Sequence, residues 1–457
     1  MDTPLKFIKT GLLISTRSLY KSPLPAYLLV VAILLLPYLS YSQDTTKNIQ
    51  AGQDSSKKSY PDGTTGLVLE VGPDDYLTKK RPPNEFEGTY STIRIGLGYI
   101  LDGATYSQNA VFKQQMDSAG LVFNSKFETR DFRVMASGLF KTKGTLSWKL
   151  GYMYDGDKKV WLLRETGLTL GVSKLYGHIF IGRTKEGYSA IKVMNGHSGI
   201  TAERQMALDV IPILADGIKY FGYLPKSGIF WNLGYFNDLL SKGQSFSTYS
   251  WQYVARIGWM PLYNKEKNTV LHIAANFRYG KPLDGKITLK SRPESNPAPQ
   301  IINTGSFQAD HSTHVGAEFY YSTGNMMIGS EVMMHSFQSK DFEDHKFYGG
   351  DLFVSYLFTG AKRPYNTIGS IFGFVPVKKS VFKGGWGELE GVLKISSLDL
   401  TDGSIQGGKF WRITPMINWY MSKAVRTEFV YGYGVLDRYN LKGAVQIFQV
   451  RLQLSAL

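Results

Sequence analysis

The sequence predicts an all-β protein, an antiparallel transmembrane β-barrel of about sixteen strands. Three observations carry that prediction. The chain opens with an export-type segment. From Thr89 to the C-terminus, apolar residues alternate with polar or small ones in segment after segment. The connections between those segments are alternately short and long. Period-two alternation over about ten residues marks a strand with two different faces, and short turns on one side with longer loops on the other mark a membrane barrel. Composition agrees: 14% aromatic residues and 48 glycines suit many amphipathic strands.

Taken in order, Lys6, Lys9, Arg17 and Lys21 precede an apolar run from Ala26 to Leu36, closed by Pro37 and the small-residue exit "SYS" before Gln43. This pattern predicts a secretory signal peptide over 1–42. A membrane anchor is the rival reading, but the run falls short of the roughly 20 residues a spanning helix needs. The chain has no cysteine. That removes a cysteine-linked lipid anchor and any disulfide framework, so stability must come from extensive regular hydrogen bonding. The formal charge is +15, and residues 1–42 hold four bases and one acid, which leaves +12 after processing. Such an excess favours anionic partners. Residues 43–88 are polar and Pro/Gly-rich and read as a flexible periplasmic leader with one short strand at "LVLEV".

Residues 89–457 read as the barrel. In "TYSTIRIGLGYI", Ile93, Ile95, Leu97 and Tyr99 share one face and Arg94, Gly96 and Gly98 the other. Repeating that reading gives strands near 89–100, 126–140, 144–155, 159–171, 174–183, 216–223, 228–237, 248–260, 268–280, 309–321, 325–337, 346–358, 385–398, 406–420, 424–434 and 444–456. Short joints such as "KTKG", "GVSK" and "MSKA" alternate with long ones at 101–125, 184–215 and 281–308. The exception is 359–384, a long connection on the short side. Aromatic residues such as Trp148, Tyr152, Trp419 and Tyr420 fall near strand ends, as interfacial girdles require.

Two stretches resemble the phosphate-selective porin O and P family. One is "GRTKEGYS" (182–189) with "ERQMALD" (203–209); the other is "GGWGELEGVLKISSLDLTDGSIQGG" (384–408) with "INWY" (417–420). The resemblance implies a sixteen-stranded outer-membrane barrel, usually a homotrimer embedded in outer-membrane lipid. In such a barrel an inward-folded third extracellular loop and basic side chains form a constriction for small anions, often phosphate or polyphosphate. By position, it makes Lys185 and Arg204 loop cations and puts Arg130 and Arg133 in the arginine-rich second strand. Asp131, Lys394 and Ser397 depart from the family pattern, as does the terminal Leu457 where the family ends in Phe.

The candidate anion path is therefore Lys185, Arg204, Lys192, Arg133 and Arg183, with a candidate pore mouth at Lys281, Lys286, Lys290 and Arg292. Arginine offers a planar fork to oxyanions and lysine a compact charge, and a pore that narrows can select by offering both along its length. Solvated loop charge is the competing reading for the mouth. Strand parity puts Arg133 toward the lumen with Asp131 and Ser137, and Arg130 on the apolar face near a strand end, snorkelling to the interface. The chain lacks Gly-x-Ser-x-Gly, His-Glu-x-x-His and a P-loop ending, so no enzyme, cofactor or metal is expected. His311 and His314 are three apart, on opposite strand faces. A general or plugged barrel without phosphate selectivity is the alternative. A barrel hydrolase has no residue set to support it, and nucleic-acid binding would explain the charge but not the export signal or the periodicity.

Overall fold

The computed structural model describes residues 84–244 and 247–456. The signal peptide read over 1–42 and most of the leader, including the strand at 67–71, lie outside the described residues. The leader's last residues are ordered against the barrel: Glu85–Glu87 is a short strand paired with the start of the first barrel strand, Phe86 opposite Ile93. Its alternating Glu-Phe-Glu suits an edge strand, and a tight turn in which Gly88 N donates to Ser91 O at 3.0 Å holds it there. The flexible reading therefore fails at this end of the segment.

Sixteen antiparallel strands form the wall: β1 Thr92–Gln108, β2 Lys126–Leu139, β3 Leu146–Asp155, β4 in two pieces (Val160–Leu163 and Thr166–Val172), β5 Gly177–Thr184, β6 Ala215–Leu224, β7 Ile229–Asn237, β8 Tyr249–Asn264, β9 Thr269–Pro282, β10 His311–Thr323, β11 Met326–Gln338, β12 His345–Leu357, β13 Glu388–Asp402, β14 Ile405–Tyr420, β15 Val425–Arg438 and β16 Leu441–Ala456. Each pairs with its neighbour in sequence. β16 closes on β1, with Leu452 opposite Leu101 and Leu454 opposite Tyr99. Closure leaves no sheet edge, so every wall strand has hydrogen-bond partners on both sides, as hydrocarbon surroundings demand.

Side chains follow the alternation read from sequence. Along β13, Glu390, Val392, Lys394, Ser396 and Leu398 are buried, while Leu393 and Ile395 between them are each 48% exposed. The outward set is apolar in strand after strand, with Leu97, Ile181, Ile257, Leu352 and Phe448 among it. A lipid-facing band accounts for that exposure.

The two faces meet an irregularity in β2. Ile100 pairs with Asp131 and Leu101 with Thr129, so Arg130 is an extra, unpaired residue. Such a bulge resets the phase of the strand. Arg130 consequently points inward beside Asp131, with its Nη1 3.2 Å from Asp131 Oδ2. The expected snorkelling position was wrong because parity counting assumes an unbroken ladder.

Three connections lie against inward-facing side chains. Residues 185–214 give main-chain carbonyls to donors on β14, β15 and β16: Ile200 O accepts from Asn418 Nδ2 at 2.8 Å, Gly199 O from Arg426 Nη1 at 2.8 Å and His197 O from Gln453 Nε2 at 2.8 Å. On β11, Glu331 Oε1 accepts from Ile191 N at 3.0 Å. Gly98 of β1 makes room, since a Cβ there would meet His197 Cε1 at 2.7 Å.

The connection after β9 is a hairpin, Lys286–Ser291 with Ile302–Gln308. Its tip reaches inward, where Glu294 O accepts from Arg412 Nη1 at 2.9 Å and Asn296 Nδ2 donates to Glu128 Oε1 at 2.6 Å. The anomalous long connection 359–384 also turns in, from the end of the barrel that carries the short turns. Arg363 joins Glu390 at 3.0 Å, Tyr420 Oη at 2.8 Å and Ser198 O at 3.0 Å, and Ser370 O accepts from Arg256 Nη2 at 2.9 Å.

Candidate functional site

The run 185–214 has little regular structure of its own. Ser189 caps the short helix Ala190–Val193 by accepting from Lys192 N at 3.0 Å, and Asn195 accepts from His197 N at 3.0 Å. The rest of its shape comes from polar anchors on the wall. Glu331 is one of them, receiving Gln205 Nε2 at 3.2 Å as well as Ile191 N.

The five cations expected on the path divide into two groups. Arg183 is almost fully buried and donates to both oxygens of Asp216, at 2.7 and 3.3 Å, and to Leu163 O at 3.2 Å. Lys185 is also buried, donating to Met194 O at 2.7 Å with Glu165 3.4 Å away. These two fasten the ends of the loop. Lys192 pairs with Glu186 at 2.8 Å, and Glu186 also holds Arg278 at 3.1 Å. Burial pushes the Lys192 ammonium down to about 8, with Glu186 opposing the shift and Arg278 adding to it. Arg133 grips Asp131 with two hydrogen bonds of 3.0 and 2.7 Å.

Arg204 differs from these. Its guanidinium donates to the carbonyls of Ile191 at 3.1 Å and Met194 at 3.3 Å, and among the described residues no carboxylate pairs with it. Burial, then the guanidinium groups of Arg130, Arg164 and Arg133, lower it to about 10, so it stays charged at neutral pH.

Arg204 lines two cavities. The larger, about 430 Å³, lies between the 203–213 stretch and the 287–300 hairpin; Arg130, Lys192, Arg204, Lys290 and Arg292 are among the residues lining it. The smaller, about 40 Å³, is bordered by Arg133 and Arg451. Arg130, Glu203 and Arg204 line both. Glu203 sits between Arg130, at 2.7 and 2.9 Å, and Arg451. Burial alone would raise its carboxyl, but these two arginines hold it down at about 2. Two bases, Arg130 and Arg204, and one firmly ionised acid, Glu203, therefore border both cavities.

Of the four mouth residues, Lys281, Lys286 and Lys290 are exposed. Arg292 is folded back onto Asp157 at 2.6 Å and Asn296 O at 2.7 Å. Only Lys290 and Arg292 line the larger cavity. Sequence reasoning missed Arg130 and Arg451 as lining residues. Arg130 was hidden by the bulge, and inward parity on β16, shared with Gln449 and Gln453, was the signal available for Arg451.

His314 and His311 do lie on opposite faces: His311 stacks outward on Tyr279, and His314 Nδ1 is 2.7 Å from His335 Nδ1 inside. A serine, a histidine and an aspartate also line up in the lumen, with Ser455 Oγ 2.6 Å from His197 Nδ1 and His197 Nε2 3.6 Å from Asp131 Oδ1. They do not make an activated serine. Burial and Arg133 push His197 down to about 4, too weak a base, and both Asp131 oxygens already serve Arg133.

Compared with known families, the chain matches the model for phosphate-selective porins O and P over residues 119–455. The chain belongs to that family. This porin finds no sequence match among curated proteins. In fold it is similar to the outer-membrane channel DcaP of Acinetobacter baumannii (TM-score 0.52, 10% identity, covering 81% of this chain and 99% of that one). It is also similar to an anion-selective porin from Comamonas acidovorans (TM-score 0.50, 12% identity, 80% and 100%) and to a loop L8 deletion mutant of OmpT, an outer-membrane protein of Vibrio cholerae (TM-score 0.50, 11% identity, 80% and 99%). At these identities the likeness is one of fold. Family and fold together make the molecule a barrel of the bacterial outer membrane, and a channel rather than an enzyme.

Proposed function

We propose that this porin is a passive diffusion channel for small anions, phosphate among them, whose selectivity is set where residues 203–204 cross the lumen. The observation that carries the proposal is that Arg130, Glu203 and Arg204 border both cavities. In this reading an ion moving from one to the other passes Arg204, which no carboxylate among the described residues pairs with. Cationic donors at a neck favour anions, and spreading the charge over several residues keeps any one site from trapping them. Arg133 and Arg451 continue the basic lining beyond the neck, and Lys290 and Lys192 precede it. Arg183 and Lys185 hold the loop in place. In this reading residues 185–214 are the inward third loop, the long connections face outside the cell, a signal peptide directs export and the barrel works as a trimer. Planar-bilayer reversal potentials in a KCl gradient test the reading: anion preference that weakens in Arg204→Ala supports it, and cation preference in the native protein removes it.

A second reading is favoured by one observation. Residues 361–377 occupy the lumen from the short-turn end, with Arg363 bonded to Ser198 O of the opposing loop. If that segment closes the passage, the barrel is plugged and serves binding or structure. Inserted protein that carries no measurable current supports this reading, and steady current decides for the channel.

A further inference from the structure

We infer that the short-turn end of the barrel carries a ring of lysines that binds the anionic phospholipid headgroups of the surrounding membrane leaflet.

Charge is divided unequally between the two ends of the wall. Of the seven connections at the short-turn end, six present an exposed lysine, with Lys143, Lys174, Lys226, Lys267, Lys383 and Lys423 one from each. The longest of them adds Lys362, Lys378 and Lys379. The only acid on these seven connections, among the described residues, is Glu266. The stretch 84–91 beside them adds Glu85 and Glu87, and Glu87 pairs with Lys141 at 2.6 Å. The long-connection end is mixed in sign. There Asp341, Glu343 and Asp344 follow Lys340, and Lys409 meets Asp399 at 2.8 Å.

Four aromatic side chains fix the depth of these lysines. Trp148 Nε1 donates to Ser91 Oγ at 3.3 Å, Tyr220 Oη to Leu175 O at 2.5 Å, Trp259 Nε1 to Ser227 O at 3.0 Å and Trp419 Nε1 to Trp386 O at 2.9 Å. Each polar tip reaches the short-turn end while the ring stays with the apolar outer band, the place tryptophan and tyrosine take at the edge of a bilayer's hydrocarbon. The turns just beyond the rings consequently stand at headgroup depth. Lysine suits that depth, because its four-carbon stem lies along apolar surface while its ammonium reaches a phosphate. No arginine is exposed on these turns among the described residues. Beside Lys383, Phe382 is 67% and Trp386 86% exposed, so ring and charge are paired on the longest connection too.

The ring form selects the partner. The lysine-bearing turns follow β2, β4, β6, β8, β12 and β14 and so stand around the circumference rather than on one side. A globular acidic protein would cover one arc of that ring, and a solute in transit would meet only the residues at the opening. A lipid leaflet touches the whole circumference, and its anionic headgroups are attracted by every lysine they approach.

The test uses purified full-length protein in phosphatidylcholine vesicles that contain brominated phosphatidylglycerol or, at the same mole fraction, brominated phosphatidylcholine. Quenching of tryptophan fluorescence reports which lipid collects at the barrel, and Trp259, Trp386 and Trp419 stand at the lysine-rich end. At low salt phosphatidylglycerol should associate about threefold more strongly than phosphatidylcholine, and NaCl at roughly 0.5 M should bring the ratio toward one. Combining Lys226→Gln, Lys267→Gln, Lys378→Gln and Lys383→Gln should lower the low-salt ratio. The control Lys340→Gln, Lys346→Gln and Lys409→Gln, at the other end, should leave it in place. Equal quenching by the two lipids in the native protein overturns the inference, as does a preference that the four-lysine variant keeps in full. Every substitution lies on an exposed surface position outside the lumen, so intact heat stability of each variant confirms that folding is not what the quenching reads.

Discussion

Arg204, Lys192 and Arg183 carry similar charge and are placed to do different work. Arg204→Ala should reduce the anion-to-cation permeability ratio several-fold without altering heat stability, because it removes a partly exposed charge that holds only two carbonyls. Arg183→Ala should do the reverse. Breaking its buried pair with Asp216 leaves an uncompensated carboxylate, a loss of about 3–5 kcal/mol, and the reversal potential should scarcely move. Thermal unfolding of the purified barrel beside its reversal potential separates the two roles. Lys192 supplies a pH dependence. Its ammonium, lowered to about 8, is charged below that pH and loses its proton as pH rises through it, whereas Arg204 at about 10 remains charged. Anion preference should therefore drop between pH 7 and 9 in the native protein and drop by less in Lys192→Met, where Asp209 of the same cavity, raised to about 7 by burial, still loses its proton. At this scale the sequence was only half legible. The identity and approximate place of the basic residues could be read, because the Gly-Arg-Thr-Lys and Glu-Arg stretches follow a strand end. Which of them would be neutralised could not, since the partners Asp216, Glu186 and Glu165 lie on other elements and become neighbours only when the barrel closes.

Among the elements, the strands were readable and the lumen fillers were not. Alternation located every wall strand to within a few residues at most ends, and β4 retained its place although Arg164 and Glu165 split it in two. The connections have no periodicity to read. Residues 359–384 stood out only by length, and the reason for that length is the inward turn tied by Arg363 to Glu390 and Tyr420. Shortening this connection to a tight turn should raise single-channel conductance if 361–377 narrows the path, and an unchanged conductance would show that the segment lies beside it. Glu331 is the corresponding lever for 185–214, because one carboxylate takes both Ile191 N and Gln205 Nε2. Glu331→Ala should release the loop from β11, seen as noisier open-channel current. A trace as quiet as the native one would mean that the anchors on β14, β15 and β16 suffice alone.

For the molecule as a whole, a closed sixteen-strand wall with an apolar outer band and a charged, loop-filled interior follows from one repeated rule, period-two alternation, applied to a chain without cysteines. That rule survives local faults such as the bulge at Arg130, because closure depends on the total number of strands and the pairing of β16 with β1 rather than on any single register. Function is less directly written. The net positive charge favours anions, yet among the described residues most inward bases are paired with acids, and the proposed function assigns selectivity to the few that are not. The most direct measurement of that claim is the reversal potential of the purified native protein across a planar bilayer in a tenfold KCl gradient, repeated with Arg204→Ala. The account predicts a potential on the chloride side that moves toward zero in the variant; a potential on the potassium side, or one that Arg204→Ala leaves where it was, would contradict it.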